Sequence, residues 1–109
     1  MSIVEISVAD LASHPAPVVV DVREIDEYLS GHVPGAINVP LSQLMGRENE
    51  FALGGIVYLI CQAGGRSMRA CEHLANIEQL NQTTFINVAG GTGGWIIEGH
   101  KVVEGDQPS

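Results

Sequence analysis

The segment Ile56-Val57-Tyr58-Leu59-Ile60-Cys61-Gln62-Ala63-Gly64-Gly65-Arg66-Ser67 places a cysteine at the end of an apolar run. Two glycines, an arginine and a serine follow. The apolar run reads as a buried strand. The glycines let the backbone curl so that several N–H groups converge on one point, a nest for an anion. Ser67 offers a cap for a helix whose positive end would face that point. A sulfur there would be held as thiolate, the nucleophilic form of cysteine.

Magnitudes rank the contributions. Turning an ordinary thiol, with a pKa of about 8.5, mostly into thiolate at neutral pH takes about 2.7 kcal/mol. A helix dipole supplies about 0.3–1 kcal/mol. Hydrogen bonds to a charged group supply roughly 1.5–3 kcal/mol each, so the loop N–H groups must carry most of the load. The plain alternative for Cys61 is a small core residue closing a strand. The glycine loop and Arg66, the loop's one cation, favour a nucleophile in a cradle of Gln62, Ala63, Gly64, Gly65, Arg66 and Ser67. Cys71 falls on the apolar stripe of the following helix and reads as core packing. His14, His73 and His100 show no metal-ligand spacing with the cysteines. No metal and no cofactor are expected.

The elements that must position this loop can be sketched from pattern. Val4 to Ile6 reads as a strand, and Ser7 caps a short helix that ends before Pro15. Val18-Val19-Val20 reads as a doubly buried strand. Glu24 to Ser30 reads as a helix stopped by Gly31. Ala36 to Val39 is a strand, Ser42 caps a helix toward Glu50, and Ile56 to Ile60 is the clearest strand. A helix capped by Ser67 runs to about Asn76, and Thr83 to Val88 is the last strand. Gly90-Gly91 and Gly93-Gly94 read as a flexible turn before a short helix at Trp95, taken as a core plug. Residues 105–109 read as a loose tail. Short strands alternating with short helices predict an α/β domain with a mainly parallel sheet, and ligands at the C-terminal strand ends.

Bulk properties narrow the partners. The 109 residues are expected to form one domain, with a core over about residues 3–103. The net charge of −8 argues against nucleic acid and against an electrostatic membrane anchor. It also requires that any attraction for an anionic substrate be local. Two cysteines make no disulfide framework, which suits a reducing compartment. No signal-peptide pattern opens the chain, and the expected location is cytoplasmic.

Four stretches, in order, resemble the rhodanese homology domain over roughly Ile3 to Val103. They are Asp21-Val22-Arg23-Glu24 with Glu27-Tyr28, Gly31-His32-Val33-Pro34-Gly35-Ala36-Ile37-Asn38-Val39-Pro40, the Cys61 to Ser67 loop, and Val88-Ala89-Gly90-Gly91 with Trp95 and Gly99. Lys101 stands where many members carry a proline, away from the chemistry. The resemblance implies the three-layer rhodanese-like fold, with a central five-stranded sheet and helices on both faces. It implies that Cys61 cycles between thiol and persulfide, taking sulfur from thiosulfate or a persulfide and passing it to a thiol or protein acceptor. It gives Asp21, Arg23 and His32 supporting roles as loop ties. Phosphatases and arsenate reductases on a related fold place five residues between cysteine and arginine. Here Gln62 to Gly65 are four, and Ile60 rather than histidine precedes the cysteine. A non-catalytic binding module of the same family is the other alternative.

Overall fold

A computed structural model describes residues 2–109. Five strands form one parallel sheet in the order β1-β5-β4-β2-β3: β1 Val4–Ile6, β2 Val19–Asp21, β3 Ile37–Asn38, β4 Gly55–Ile60 and β5 Thr83–Val88. The helices are α1 Val8–Ser13, α2 Ile25–Ser30, α3 Leu41–Leu44, α4 Gly65–Ala75 and α5 Gly91–Ile97. β4 is central, with β2 on one side and β5 on the other.

Side-chain alternation along the strands sorts the core into two layers. Val20, Val22, Val57, Leu59, Cys61 and Phe85 face Leu44, Phe51, Ala70, Cys71 and Leu74, so α3 and α4 cover that face. Val19, Tyr58, Ile60, Ile86 and Val88 face Val8, Leu11, Tyr28 and Trp95, so α1, α2 and α5 cover the other. This is the expected three-layer α/β arrangement. Among the described residues, no helix is long and apolar enough to cross a membrane.

Several local expectations are corrected. Ser42 does not cap a long helix. It lies inside the single turn α3, its hydroxyl donates to Glu24 Oε1 at 2.6 Å, and a separate 3₁₀ turn follows at Glu48–Phe51. Gly91, Gly93 and Gly94 do not form a loose turn but lie within α5, with Gly90 at its N-cap. Residues 105–109 do not fray: the Gly105 N–H donates to Leu29 O at 2.9 Å, and the Gly35 N–H donates to Pro108 O at 2.8 Å.

Candidate active site

The loop after β4 begins inside the core. The pleat that sends Val57 and Leu59 toward α4 sends Cys61 the same way, and the residue is 1% exposed. Gly64 then takes φ +110°, a conformation open to glycine without strain, and becomes the N-cap of α4. That turn folds the chain back over the sulfur: the Gly64 N–H donates to Cys61 Sγ at 3.1 Å, and the Ser67 hydroxyl lies 3.3 Å from it. Burial pushes the Cys61 pKa up. The Ser67 hydroxyl and the N–H groups of Ser67, Gly64 and Ala63 outweigh it, and the thiol ends below its ordinary value. Cys71, in the apolar layer, is pushed up to about 12 by burial.

Ser67 is not the helix cap that the sequence suggests. It sits in the first turn of α4, fully buried, with its hydroxyl between Cys61 Sγ, Asn87 Oδ1 and Gly64 O. One hydroxyl hydrogen ordinarily serves one acceptor. The Asn87 amide is oriented by its own donors, since Nδ2 reaches Glu5 Oε2 at 2.7 Å and Gly64 O at 3.1 Å, and a carboxylate only accepts. Asn87 Oδ1 therefore accepts from Ser67 when Cys61 is a neutral thiol. A thiolate is the stronger acceptor and draws the hydrogen to sulfur, because charge-assisted bonds are about twice as strong. Sequence reasoning missed Asn87. Its signal was a buried polar residue near the end of an apolar strand, just before Gly90-Gly91.

The loop is braced from two sides. The Thr92 N–H donates to Cys61 O at 2.8 Å, and the Gly93 N–H to Gln62 O at 3.0 Å, so the start of α5 is bonded to the loop backbone. A Cβ on Gly91, whose φ is +61°, would stand 2.5 Å from Cys61 O and 2.6 Å from Gln62 O. On the other side, buried Arg23 pairs with buried Asp21 at 2.8 Å and donates to Gly31 O at 2.7 Å and to Gln62 Oε1 at 3.2 Å.

His32 is also buried, but its ring nitrogens lie 2.8 Å from the carbonyl oxygens of Tyr28 and Gln107, and its ring stacks on Tyr28. Both nitrogens are engaged by backbone and neither faces the sulfur. The sequence places Arg66 toward the nest as its anion-binding cation. In the structure both its terminal nitrogens are engaged by the Glu27 carboxylate, at 2.8 and 2.9 Å. The Arg66 hydrogen bond holds Glu27 down at about 2, and the same bond raises Arg66. Two clefts of about 330 and 300 Å³ lie elsewhere, at the N-terminal ends of the strands, lined by Ile3, Thr83 and Phe85 and by Val18, Ile56 and Tyr58.

A parallel sheet that presents a hydrogen-bonded cysteine beyond its central strand defines the class: an α/β domain built around a thiol in an N–H-lined loop. Comparison with known proteins gives the family. The rhodanese-like domain model matches residues 7–98. The uncharacterized protein YqhL of Bacillus subtilis is 43% identical over 76 residues, 70% of this chain and 58% of that protein. A sulfurtransferase of Allochromatium vinosum is 29% identical over 93 residues, 85% of this chain and 84% of that one. A rhodanese-related protein of Thermoplasma volcanium has a crystal structure matching this fold with TM-score 0.78 at 36% identity, covering 92% of this chain and 97% of that one. The chain spans 58% or less of the length of the first curated relatives it matches. It belongs to the rhodanese-like domain family. Sulfur transfer is the general chemistry that this membership supports.

Proposed function

We propose that the protein is a sulfurtransferase that carries sulfane sulfur on Cys61, taken from thiosulfate or a persulfide and given to a thiol or protein acceptor. The observation that carries this reading is the pair of hydrogen bonds aimed at Cys61 Sγ, from the Gly64 N–H at 3.1 Å and from the Ser67 hydroxyl at 3.3 Å. They stabilise the thiolate that must attack. With thiosulfate, the Cys61 thiolate attacks the outer sulfur. A new S–S bond forms, the donor S–S bond breaks, and its electron pair leaves with sulfite. In the second half an acceptor thiolate attacks the outer sulfur of the Cys61 persulfide. The cysteine S–S bond breaks and the thiolate is restored. No external oxidant or reductant enters.

In this reading Gln62 to Ser67 form the cradle, Asp21 and Arg23 hold Gln62, and His32 ties the Gly31–His32 turn to the tail. Four residues between Cys61 and Arg66 suit a sulfur atom better than phosphate, which needs a wider loop. Two free thiols suit the reducing cytoplasm.

Mass spectrometry after thiosulfate treatment tests the proposal. One sulfur should add to the protein at Cys61, and cyanide should remove it. Cys61→Ser should stay unmodified, while Cys71→Ser should load and turn over much as the parent does. A folded parent protein that takes up no sulfur from either donor class overturns the reading and leaves a binding module.

A further inference from the structure

We propose that Glu27 sets the donor preference of the Cys61 site: by engaging Arg66 it disfavours dianionic donors such as thiosulfate and leaves the site to hydropersulfides, which carry no oxyanion group. This inference rests on the sulfur-transfer reading above and names its substrate class.

The two guanidiniums bonded at the loop are already paired with carboxylates. Arg66 is the loop's one cation, and Glu27 grips it with both oxygens, at 2.8 and 2.9 Å. A fork-to-fork pair of this kind uses the geometry that a sulfonate or sulfate group would need. Arg23, a second guanidinium bonded to the loop, is buried against Asp21 and spends its remaining donors on Gly31 O and Gln62 Oε1. Arg69, one turn beyond Arg66 on α4, is exposed and makes no hydrogen bond to the loop. The surrounding chain carries net charge −8, so no long-range field draws a dianion in.

Glu27 is not a loose surface side chain. It lies in the first turn of α2, and its Oε1 also accepts the Glu24 N–H at 3.2 Å, completing a capping box. Moving it off Arg66 therefore disturbs a helix start as well as an ion pair. Its pKa of about 2 keeps it charged across the neutral range. Both partners are about one-third exposed, at 30% and 32%, so a ligand can reach the pair and compete for it.

The two donor classes make different demands. Thiosulfate brings three oxygens bearing charge in addition to the sulfur that reacts. Those oxygens need a cation, and the one at hand is held by Glu27. A small hydropersulfide brings only a sulfur pair. The outer sulfur is what Cys61 attacks, and the leaving thiolate sulfur needs no guanidinium. In that reaction the Cys61–S bond forms and the donor S–S bond breaks, its electron pair going to the inner sulfur. The proton of the hydropersulfide S–H passes to that sulfur, so the donor leaves as its thiol and one negative charge stays on the Cys61 persulfide. The N–H groups of the loop suffice to stabilise the single charge that remains on sulfur.

The test compares sulfur loading of Cys61 from thiosulfate and from 2-hydroxyethyl hydropersulfide, in the parent, Glu27→Gln and Glu50→Gln. Glutamine keeps the side-chain oxygen that accepts the Glu24 N–H, so α2 retains its start. Glu50→Gln frees Arg47 and makes the same change in net charge away from the loop. Glu27→Gln should lower the thiosulfate KM about tenfold, the effect of freeing one charge-assisted contact. Its KM for the hydropersulfide should change less than about twofold, and Glu50→Gln should move neither value. Should Glu27→Gln melt early, Glu27→Asp, which draws the carboxylate back by one methylene, must shift the donor ratio in the same direction. An equal change for both donors, or none, overturns the role of Glu27 and leaves sulfur transfer intact. A parent protein loaded by neither donor overturns the sulfur-transfer reading, and this one with it.

Discussion

The sulfur of Cys61 lies in the apolar layer that also holds Leu59, Ala70 and Leu74. A bare thiolate would be costly there. What offsets that cost is local: the Gly64 N–H, the N–H groups of Ala63 and Ser67, and the Ser67 hydroxyl. The hydroxyl is the member that responds, because it can turn from Asn87 Oδ1 to sulfur as the charge develops. Ser67→Ala removes it without changing the backbone donors, so the Cys61 pKa should rise. Sulfur then holds its proton to higher pH, and the thiolate fraction at neutral pH falls. Iodoacetamide labelling of Cys61 at pH 7 should slow about tenfold, the worth of one hydrogen bond to a charged group. Labelling of the two proteins should converge at high pH, where both are thiolate. Cys71, pushed up to about 12, should label slowly in both. Identical pH profiles for parent and Ser67→Ala would remove the hydroxyl from the account.

At the scale of elements, the loop is held because α5 begins against it. The N–H groups of Thr92 and Gly93 hold Cys61 O and Gln62 O, and only a residue without a Cβ fits at Gly91. Gly91→Ala should therefore cost roughly 1–3 kcal/mol in chemical denaturation and loosen the sulfur loop with it. Gly65 opens α4, has nothing within 4 Å of a built Cβ and carries no left-handed backbone. Gly65→Ala should leave stability unchanged or raise it by about 0.4–1 kcal/mol. Equal destabilisation by both substitutions would contradict the packing at Gly91. The same elements show what was legible in the sequence. β5 was readable from Thr83 to Val88 because five of its six residues, all but Asn87, are β-branched or aromatic, and α1 because Ser7 caps it locally. α5 was misread because its glycines signal flexibility alone, and only the carbonyls of a distant loop require them. Ser67 was read as the helix cap but lies in the first turn of α4, because its acceptors come from the loop after β4 and from β5. Glu27 stood in a matched motif, but its contact with Arg66 spans 39 positions, and no local pattern encodes it.

Over the whole molecule, the chain end closes on the turn that precedes β3. Val103 pairs with His32 across an antiparallel bridge. Gly105, Gln107 and Pro108 then bond to Leu29, His32 and Gly35. Composition hides this, because Gly105-Asp106-Gln107-Pro108-Ser109 has no side chain that must be buried, and the contacts run through its backbone. The His32 ring is fully buried, and the Gln107 carbonyl is what one of its nitrogens meets. Ending the chain after Glu104 removes those backbone partners and opens one side of the imidazole to water. Solvent replaces part of what is lost, so the expected cost is about 1–3 kcal/mol. For a domain of this size that lowers Tm by roughly 4–8 °C per kcal/mol, readable by circular dichroism. The Cys61 loop draws its bracing from α5, Asn87 and Arg23 rather than from the tail. Below its Tm the shortened protein should therefore keep the parent's pH profile for Cys61 labelling. A Tm within about 2 °C of the parent would make the tail a passenger. A shifted Cys61 profile in a folded, shortened protein would show that the tail and the sulfur loop are coupled through the His32 turn.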